Sequence, residues 1–309
     1  YNKVLNDNDT TILSNYTYQD NVGNAGNVKN MLDGDELIID DIEIYDFGDT
    51  NILVLKSDQI SNQTVFNLKI TDDIENCSIL IVGGGGAGGL SIGGGGGAGG
   101  LLFLENIELK TNTYNIAVGK GSSYLSRTGN GRPVPNYPDG ERGFDSFAFG
   151  YVSIGGGNGG GDDYPGSQGG SGGGGSDNTN TLSTAAGGYG IQSYYDSINL
   201  ITLTSTDSHI NYGYGSNGGA GSDAQKGGGG GGGAGGSGYD NNDSSNQRVG
   251  GLGIDMSQYF GTNIGDNGWF AGGGGGSAKN NQIFTGYSNG GADLLGGGGK
   301  GAYIGNKLG

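Results

Sequence analysis

The stretch that most invites a chemical reading is Ser78-Ile-Leu-Ile-Val-Gly-Gly-Gly-Gly-Ala-Gly-Gly89. Gly83, Gly85 and Gly88 satisfy G-x-G-x-x-G behind an apolar run, and Glu105 follows Gly83 by 22 residues. A dinucleotide site needs more than that spacing. Its pyrophosphate sits on a helix N-terminus, and the third glycine packs that helix on the sheet. The helix would have to be residues 90–100, of which seven are glycine. At about 1 kcal/mol per glycine relative to alanine, no helix forms there. Other candidates fail on their own terms. Gly119-Lys120-Gly121-Ser122 lacks the spacing of a phosphate loop. Gly218-Gly-Ala-Gly-Ser-Asp223 starts like a calcium-binding nonapeptide repeat, but Gln225 stands where a large apolar residue belongs and no second copy follows. Asp33, Asp35, Glu36, Asp40 and Asp41 could lend oxygen ligands to calcium, and read more simply as a solvated acidic turn.

His209 is the single histidine, which leaves no zinc set and no Ser-His or Cys-His unit. It reads as an exposed loop residue. The 31 acids show no spacing that singles out a pair for glycoside hydrolysis. The residues therefore point to a protein that is not an enzyme and carries no cofactor, calcium being the one cation with candidate ligands. Eighteen tyrosines could stack on sugars, but Tyr is equally at home in strands.

Charge narrows the partners. The net charge is −17, and the first 76 residues hold 15 acids against four bases. Nucleic acid and anionic membranes are poor partners for such a chain. No run of 18 apolar residues exists to insert in a membrane. Cys77 is the only cysteine, so no intramolecular disulfide forms, and it reads as a small core residue. The sequence begins at Tyr1 instead of Met, which suggests processing, a removed signal or a start inside a longer chain. Asn8, Asn15, Asn62, Asn76 and Asn242 open N-glycosylation triplets. Composition alone yields roughly four or five of these, so their number says nothing about secretion.

The elements that must organise the chain are its glycine runs. Six have four or more consecutive glycines: 83–86, 93–97, 172–175, 227–233, 272–276 and 296–299. Only four of the 76 glycines precede residue 83. There is no Gly-X-Y period and there are four prolines, so collagen is excluded. A hydrophobic fraction of 32% is low for an apolar core. The runs are spaced by aromatic and aliphatic segments, unlike flexible linkers. They are expected to be helices of the polyproline-II type, with three residues per turn, ~3.1 Å rise and no internal hydrogen bonds. Every N–H and C=O then points outward and needs a partner. Packed together, such helices form a core of backbone hydrogen bonds. Gly84, Gly95, Gly173, Gly230, Gly274 and Gly298, one from each run, are the expected structural glycine core.

Between the runs lie strands, expected at 51–56, 64–70, 77–82, 101–104, 113–118, 147–154 and 199–203. No long window has a helical period. Trp269 and Phe270, directly before a glycine run, are expected to cap the glycine bundle. Residues 1–35 read as an acidic extended arm, either a frayed terminus or an arm that docks on a neighbouring subunit, and residues 36–309 as one glycine-rich unit.

Ile79-Leu-Ile-Val-Gly-Gly-Gly-Gly-Ala-Gly-Gly89, Ile92-Gly-Gly-Gly-Gly-Gly-Ala-Gly-Gly-Leu101, Tyr114-Asn-Ile-Ala-Val-Gly-Lys-Gly121, Phe144-Asp-Ser-Phe147, Ile154-Gly-Gly-Gly157 and Gly169-Gly-Ser-Gly-Gly-Gly-Gly175 resemble the glycine-rich domain of phage-tail, virion-surface and extracellular proteins. Residues 269–276 and 296–305 are also similar to the extracellular glycine-rich domain of anaplastic lymphoma kinase-type receptors. The resemblance covers about residues 45–309 and implies polyglycine-II helices inserted in a jelly roll like that of tumour necrosis factor. It implies no catalytic residue. The chain lacks the receptors' disulfides, membrane span and kinase, so a receptor role does not carry over.

The resulting expectation is an all-β protein: a jelly-roll-like antiparallel sandwich with an inserted polyglycine-II bundle and no significant α-helix. Its expected role is a non-enzymatic structural subunit of an extracellular or virion surface assembly, a filament, fibre or capsid decoration built from copies of itself. The alternative is an adhesin that recognises a surface glycan or protein through loops 124–143 and 176–215.

Overall fold

A computed structural model describes residues 16–19, 25–27, 42–46, 51–90, 92–122, 141–161, 164–177, 185–192, 210–222, 227–241, 248–279, 296–299 and 303–304. The apolar run at residue 51 is β4 (Asn51–Leu55), which pairs antiparallel with β3 (Ile42–Asp46). The alternating segment is β5 (Gln63–Ile70), and its Phe66, Leu68 and Ile70 are all buried, as the two-residue period of a strand dictates. Next come β6 (Ile74–Val82), β7 (Leu101–Leu109) and β8 (Asn112–Gly119). The segment expected as one strand at 147–154 is a hairpin of β9 (Ser146–Ala148) and β10 (Tyr151–Ser153). Its two-residue turn, Phe149 at φ 54 and Gly150 at φ 88, has the paired positive dihedrals that match strand twist.

β1 (Tyr16–Gln19) and β2 (Ala25–Asn27) form a hairpin within the stretch read as an arm. β1 lies against the edge of β5 through two residue pairs, Tyr16 with Ile70 and Thr17 with Lys69. The later strands are β11 (Ile210–Tyr214), β12 (Ile254–Asp255), β13 (Trp269–Phe270), β14 (Ala278–Lys279) and β15 (Tyr303–Ile304). Among the described residues the single α-helix, α1 (Ser257–Phe260), has four residues, so the chain is all-β. Every strand pair is antiparallel except β14 with β15, which is parallel. The strand expected at 199–203 lies outside the described residues.

Two sheets carry the apolar core. One has the order β10-β9-β8-β5-β1-β2, the other β11-β7-β6. Phe66, Leu68 and Ile70 of β5, Ile116 of β8 and Ala148 of β9 meet Ile81 of β6 and Leu102 of β7 between them. The opposite face of β7 sends Leu101 and Phe103 into a second cluster with Met256, Phe260 and Ile264. Because β7 is covered on both sides, its first four residues are all buried and the sequence there is a continuous apolar run. Each such side chain contributes about 1.5–3 kcal/mol of burial.

The hydrogen bonds of β6 and β7 do not stop where the strands stop. β6 runs into residues 83–89 and β7 is entered from residues 93–100, and these two glycine segments bond each other in continuation of the hairpin. Two serines secure the junctions. Ser153 Oγ donates to Gly100 O at 2.5 Å and accepts from Gly83 N at 3.1 Å. Ser146 Oγ donates to Val82 O at 2.7 Å and accepts from Gly119 N at 2.9 Å.

Candidate functional site

Residues 93–100 form a rod that is buried along its whole length. Gly94, Gly97 and Gly100 donate N–H bonds to Gly160, Gly157 and Ile154, each at 2.8 Å. Gly95 and Ala98 donate to Gly229 and Gly232, each at 2.9 Å. The carbonyls of Gly94, Gly97 and Gly100 accept from Gly89, Gly86 and Gly83. Those of Gly95 and Ala98 accept from Gly174 and Ser171, and those of Gly96 and Gly93 from Gly274 and Ser277. Within each set the residue numbers step by three on both partners. A three-residue period without internal bonds is that of a polyproline-II-type helix, here built of glycine.

Five rods thus surround the central one: 83–89, 154–160, 169–176, 227–233 and 271–277. They also bond one another in that order. Gly156 N reaches Gly84 O, Gly157 N reaches Ser171 O, Gly232 N reaches Gly172 O and Gly231 N reaches Gly274 O, all at 2.8–2.9 Å. At most positions of the lattice the spacing excludes side chains. A Cβ on Gly84, Gly95, Gly173 or Gly230 would fall within 3.0 Å of backbone atoms of a neighbouring segment, those of Lys120, Gly274, Asn158 and Val249 respectively. Side chains are admitted at a few positions, and Asn158, Ser171, Ser176 and Ser277 stand buried within the rods. Ala234 packs into the cluster around Phe103, and Ala98 borders the groove described below.

The expected core glycines take these places. Gly84, Gly95, Gly173 and Gly230 are buried in the rods, Gly274 is half-buried and Gly298 lines the groove. Trp269 and Phe270 form β13 directly before the 271–277 rod, and Phe270 joins the cluster of Leu101 and Phe103. Cys77, expected in the core, is half-buried on β6 beside an irregular register, and burial pushes its thiol up. Asn62 and Asn76 are exposed. Asn8, Asn15, Asn242, His209 and the acids from Asp33 to Asp41 lie outside the described residues. Among those described, no three His, Cys, Asp or Glu side chains stand close enough to hold a metal. Two charges are buried in the lattice, Asp177 and Arg248, and burial pushes the Arg248 guanidinium below its ordinary value.

The feature that sequence reasoning missed is a groove of about 190 Å³ between the 83–89 and 271–277 rods. Its walls are Gly85, Gly86 and Gly88 on one side, Gly96, Gly97 and Ala98 at the base, and Gly272, Gly274 and Gly275 opposite, with 297–299 at the rim. Gly85 and Gly88 are two of the three glycines that mimic a dinucleotide fingerprint, yet they sit on a rod, with no helix after it among the described residues. Only the ring order of the rods reveals this opening, and no local sequence signal carries that order.

A family described as a glycine-rich domain matches residues 60–309 of the chain. No curated protein and no solved structure matches it.

Proposed function

Because this chain belongs to the glycine-rich domain family, we propose that it is a non-enzymatic structural subunit that assembles with copies of itself at an extracellular or virion surface. The observation that carries this reading is the buried glycine lattice. A core whose rods admit few side chains is stiff, and its amides are withdrawn from water and proteases. A stiff, protease-resistant unit suits a filament, fibre or capsid decoration. A jelly-roll ancestry of the two apolar-packed sheets belongs to the same proposal.

The arm, residues 1–35, supplies the subunit contact. Its β1–β2 hairpin holds the edge of β5 through two residue pairs. The same hairpin on a neighbour's β5 would make the same bonds, so exchange between copies costs little. Deleting residues 1–35 is expected to abolish polymers seen by negative-stain electron microscopy and leave a folded monomer. Unchanged polymers would refute the role of the arm.

An adhesin role has one specific observation behind it. Tyr164, Tyr189 and Tyr239 are 48%, 70% and 48% exposed on segments that bond the outer rods. Exposed aromatic rings suit stacking on sugars. Their triple replacement by Ser is expected to remove binding on a glycan array; an array with no binder for the wild type counts against this reading.

A further inference from the structure

A rod with three residues per turn projects N–H and C=O groups in six directions, and the central rod bonds neighbours in five. The sixth direction is that of the Gly96 N–H and, three residues on, the Gly99 N–H. Neither meets an acceptor among the described residues. At Gly96 this direction opens into the groove between the 83–89 and 271–277 rods. The flanking walls present the opposite chemistry. The carbonyls of Gly86, Gly272 and Gly275 receive no N–H among the described residues. The Gly96 N–H thus faces an open channel with a free carbonyl on one wall and two on the other, and the one side chain in the lining is the Ala98 methyl.

An occupant that satisfies these walls must accept and donate at a repeat of ~9 Å, three residues at ~3.1 Å each. It must also carry no side chain toward them. A glycine-rich backbone in the conformation of the five existing neighbours meets both demands. The rim suggests its source. Residues 296–299 are bound through Gly272 N to Gly296 O and Gly275 N to Gly299 O, at 2.8 and 2.9 Å. A Cβ on Gly297 or Gly299 would meet nothing within 4 Å, so this segment has open faces. Four residues span ~12 Å, which covers the ~9 Å between Gly85 and Gly88 along the wall. Each copy therefore carries, side by side, a groove and a glycine segment that can fill one once Gly296 and Gly297, at φ 91 and 83, turn to the dihedrals of the rods, a change glycine makes without steric cost.

We propose that the groove docks the 296–299 segment of a second copy, which completes the sixth position around the central rod. Reciprocal docking makes the contact two-fold and self-complementary. This rests on the reading of the chain as a self-assembling subunit and adds a contact separate from the arm.

The test uses variants that block the groove and spare the fold. A Cβ on Gly88 would lie 3.6 Å from Gly94 O and 4.0 Å from Gly96 N, ordinary contact distances, so Gly88→Leu sets its side chain across the Gly96 N–H. Gly299→Leu alters the docking segment where space is open. Gly121→Leu, whose Cβ would approach Gly85 O at 3.7 Å outside the groove lining, is the control. Self-association of the full chain is followed by sedimentation velocity, with and without a capped pentaglycine peptide. Expected are a tenfold or greater weakening in Gly88→Leu and Gly299→Leu, wild-type association in Gly121→Leu, competition by pentaglycine, and unfolding midpoints no lower than that of the wild type. Wild-type association that neither variant nor peptide disturbs overturns the groove contact and leaves the subunit reading standing. A wild type that stays monomeric at all concentrations overturns both. A lowered unfolding midpoint in monomeric Gly88→Leu would mean that the chain's own residues fill the groove, and overturns the proposal.

Discussion

Replacing Gly95 by Ala and Gly88 by Ala adds one methyl to the same kind of rod, with opposite expected signs. At Gly95 the new Cβ would sit within 3.0 Å of Gly274 O and 2.8 Å from Gly231 N, both backbone atoms of neighbouring rods. Backbone cannot rotate aside as a side chain can, so the 271–277 and 227–233 rods must separate from the central one. The bonds at risk are Gly231 N to Gly274 O and Gly274 N to Gly96 O, at 2.8 and 2.9 Å. A buried polar group left without its partner costs about 1–3 kcal/mol. Two such losses amount to about 2–6 kcal/mol, a large part of the stability of an ordinary domain. At Gly88 the Cβ meets only ordinary contacts, and alanine restricts the unfolded chain, which is worth about 0.4–1 kcal/mol in favour of folding. Urea unfolding followed by the fluorescence of Trp269, the only tryptophan, reads both variants from the end of the 271–277 rod. Equal midpoints for the two variants would refute the claim that rod–rod contact at the backbone is what holds this region together.

Other perturbations test other parts. Gln192 is fully buried against Gly100, with its Oε1 accepting from Ile154 N at 2.6 Å and its Nε2 donating to Val152 O at 3.3 Å, so Gln192→Ala should cost about 1–3 kcal/mol in the same assay. Ser153→Ala removes the hydroxyl that bridges Gly83 and Gly100 and leaves only their direct bond at 3.0 Å; amide exchange there should quicken while that of β5 and β8 stays unchanged. The Asp73 carboxylate accepts the Thr111 N–H at 2.8 Å and pairs with Lys110 at 3.0 Å, and these, the first foremost, hold it below its ordinary value of 3.8. A depressed folded value stabilises above the unfolded one and is lost as pH falls through the folded one. The midpoint gap between wild type and Asp73→Asn should therefore be widest near neutral pH and close in acid. Burial keeps the Cys77 thiol protonated, so iodoacetamide at pH 8 should label it more slowly than a free cysteine, and urea should abolish the difference.

The sequence by itself determined the local conformations. Alternation in Thr64–Ile70 placed Phe66, Leu68 and Ile70 on one buried face, because a strand has a two-residue period. Seven glycines among residues 90–100 ruled out a helix there, and with it the nucleotide reading. Pure glycine runs implied outward-pointing backbone groups that must bond something. What they bond was settled only in three dimensions. One glycine rod is chemically like another, so no residue type announces that 93–100 lies at the centre and 296–299 at the rim. Gly95 and Gly88 look alike on the page, yet one is closed in by Gly274 and Gly231 and the other faces a groove. The extra turn at Phe149-Gly150 depended on the pairing of β9 with β10, and the parallel β14–β15 pair joins residues 25 apart in sequence. In an apolar core the side chains identify their partners by size and shape. In a lattice of backbone hydrogen bonds the groups are identical at every step, and only chain connectivity and the strands that feed each rod decide which neighbour it meets.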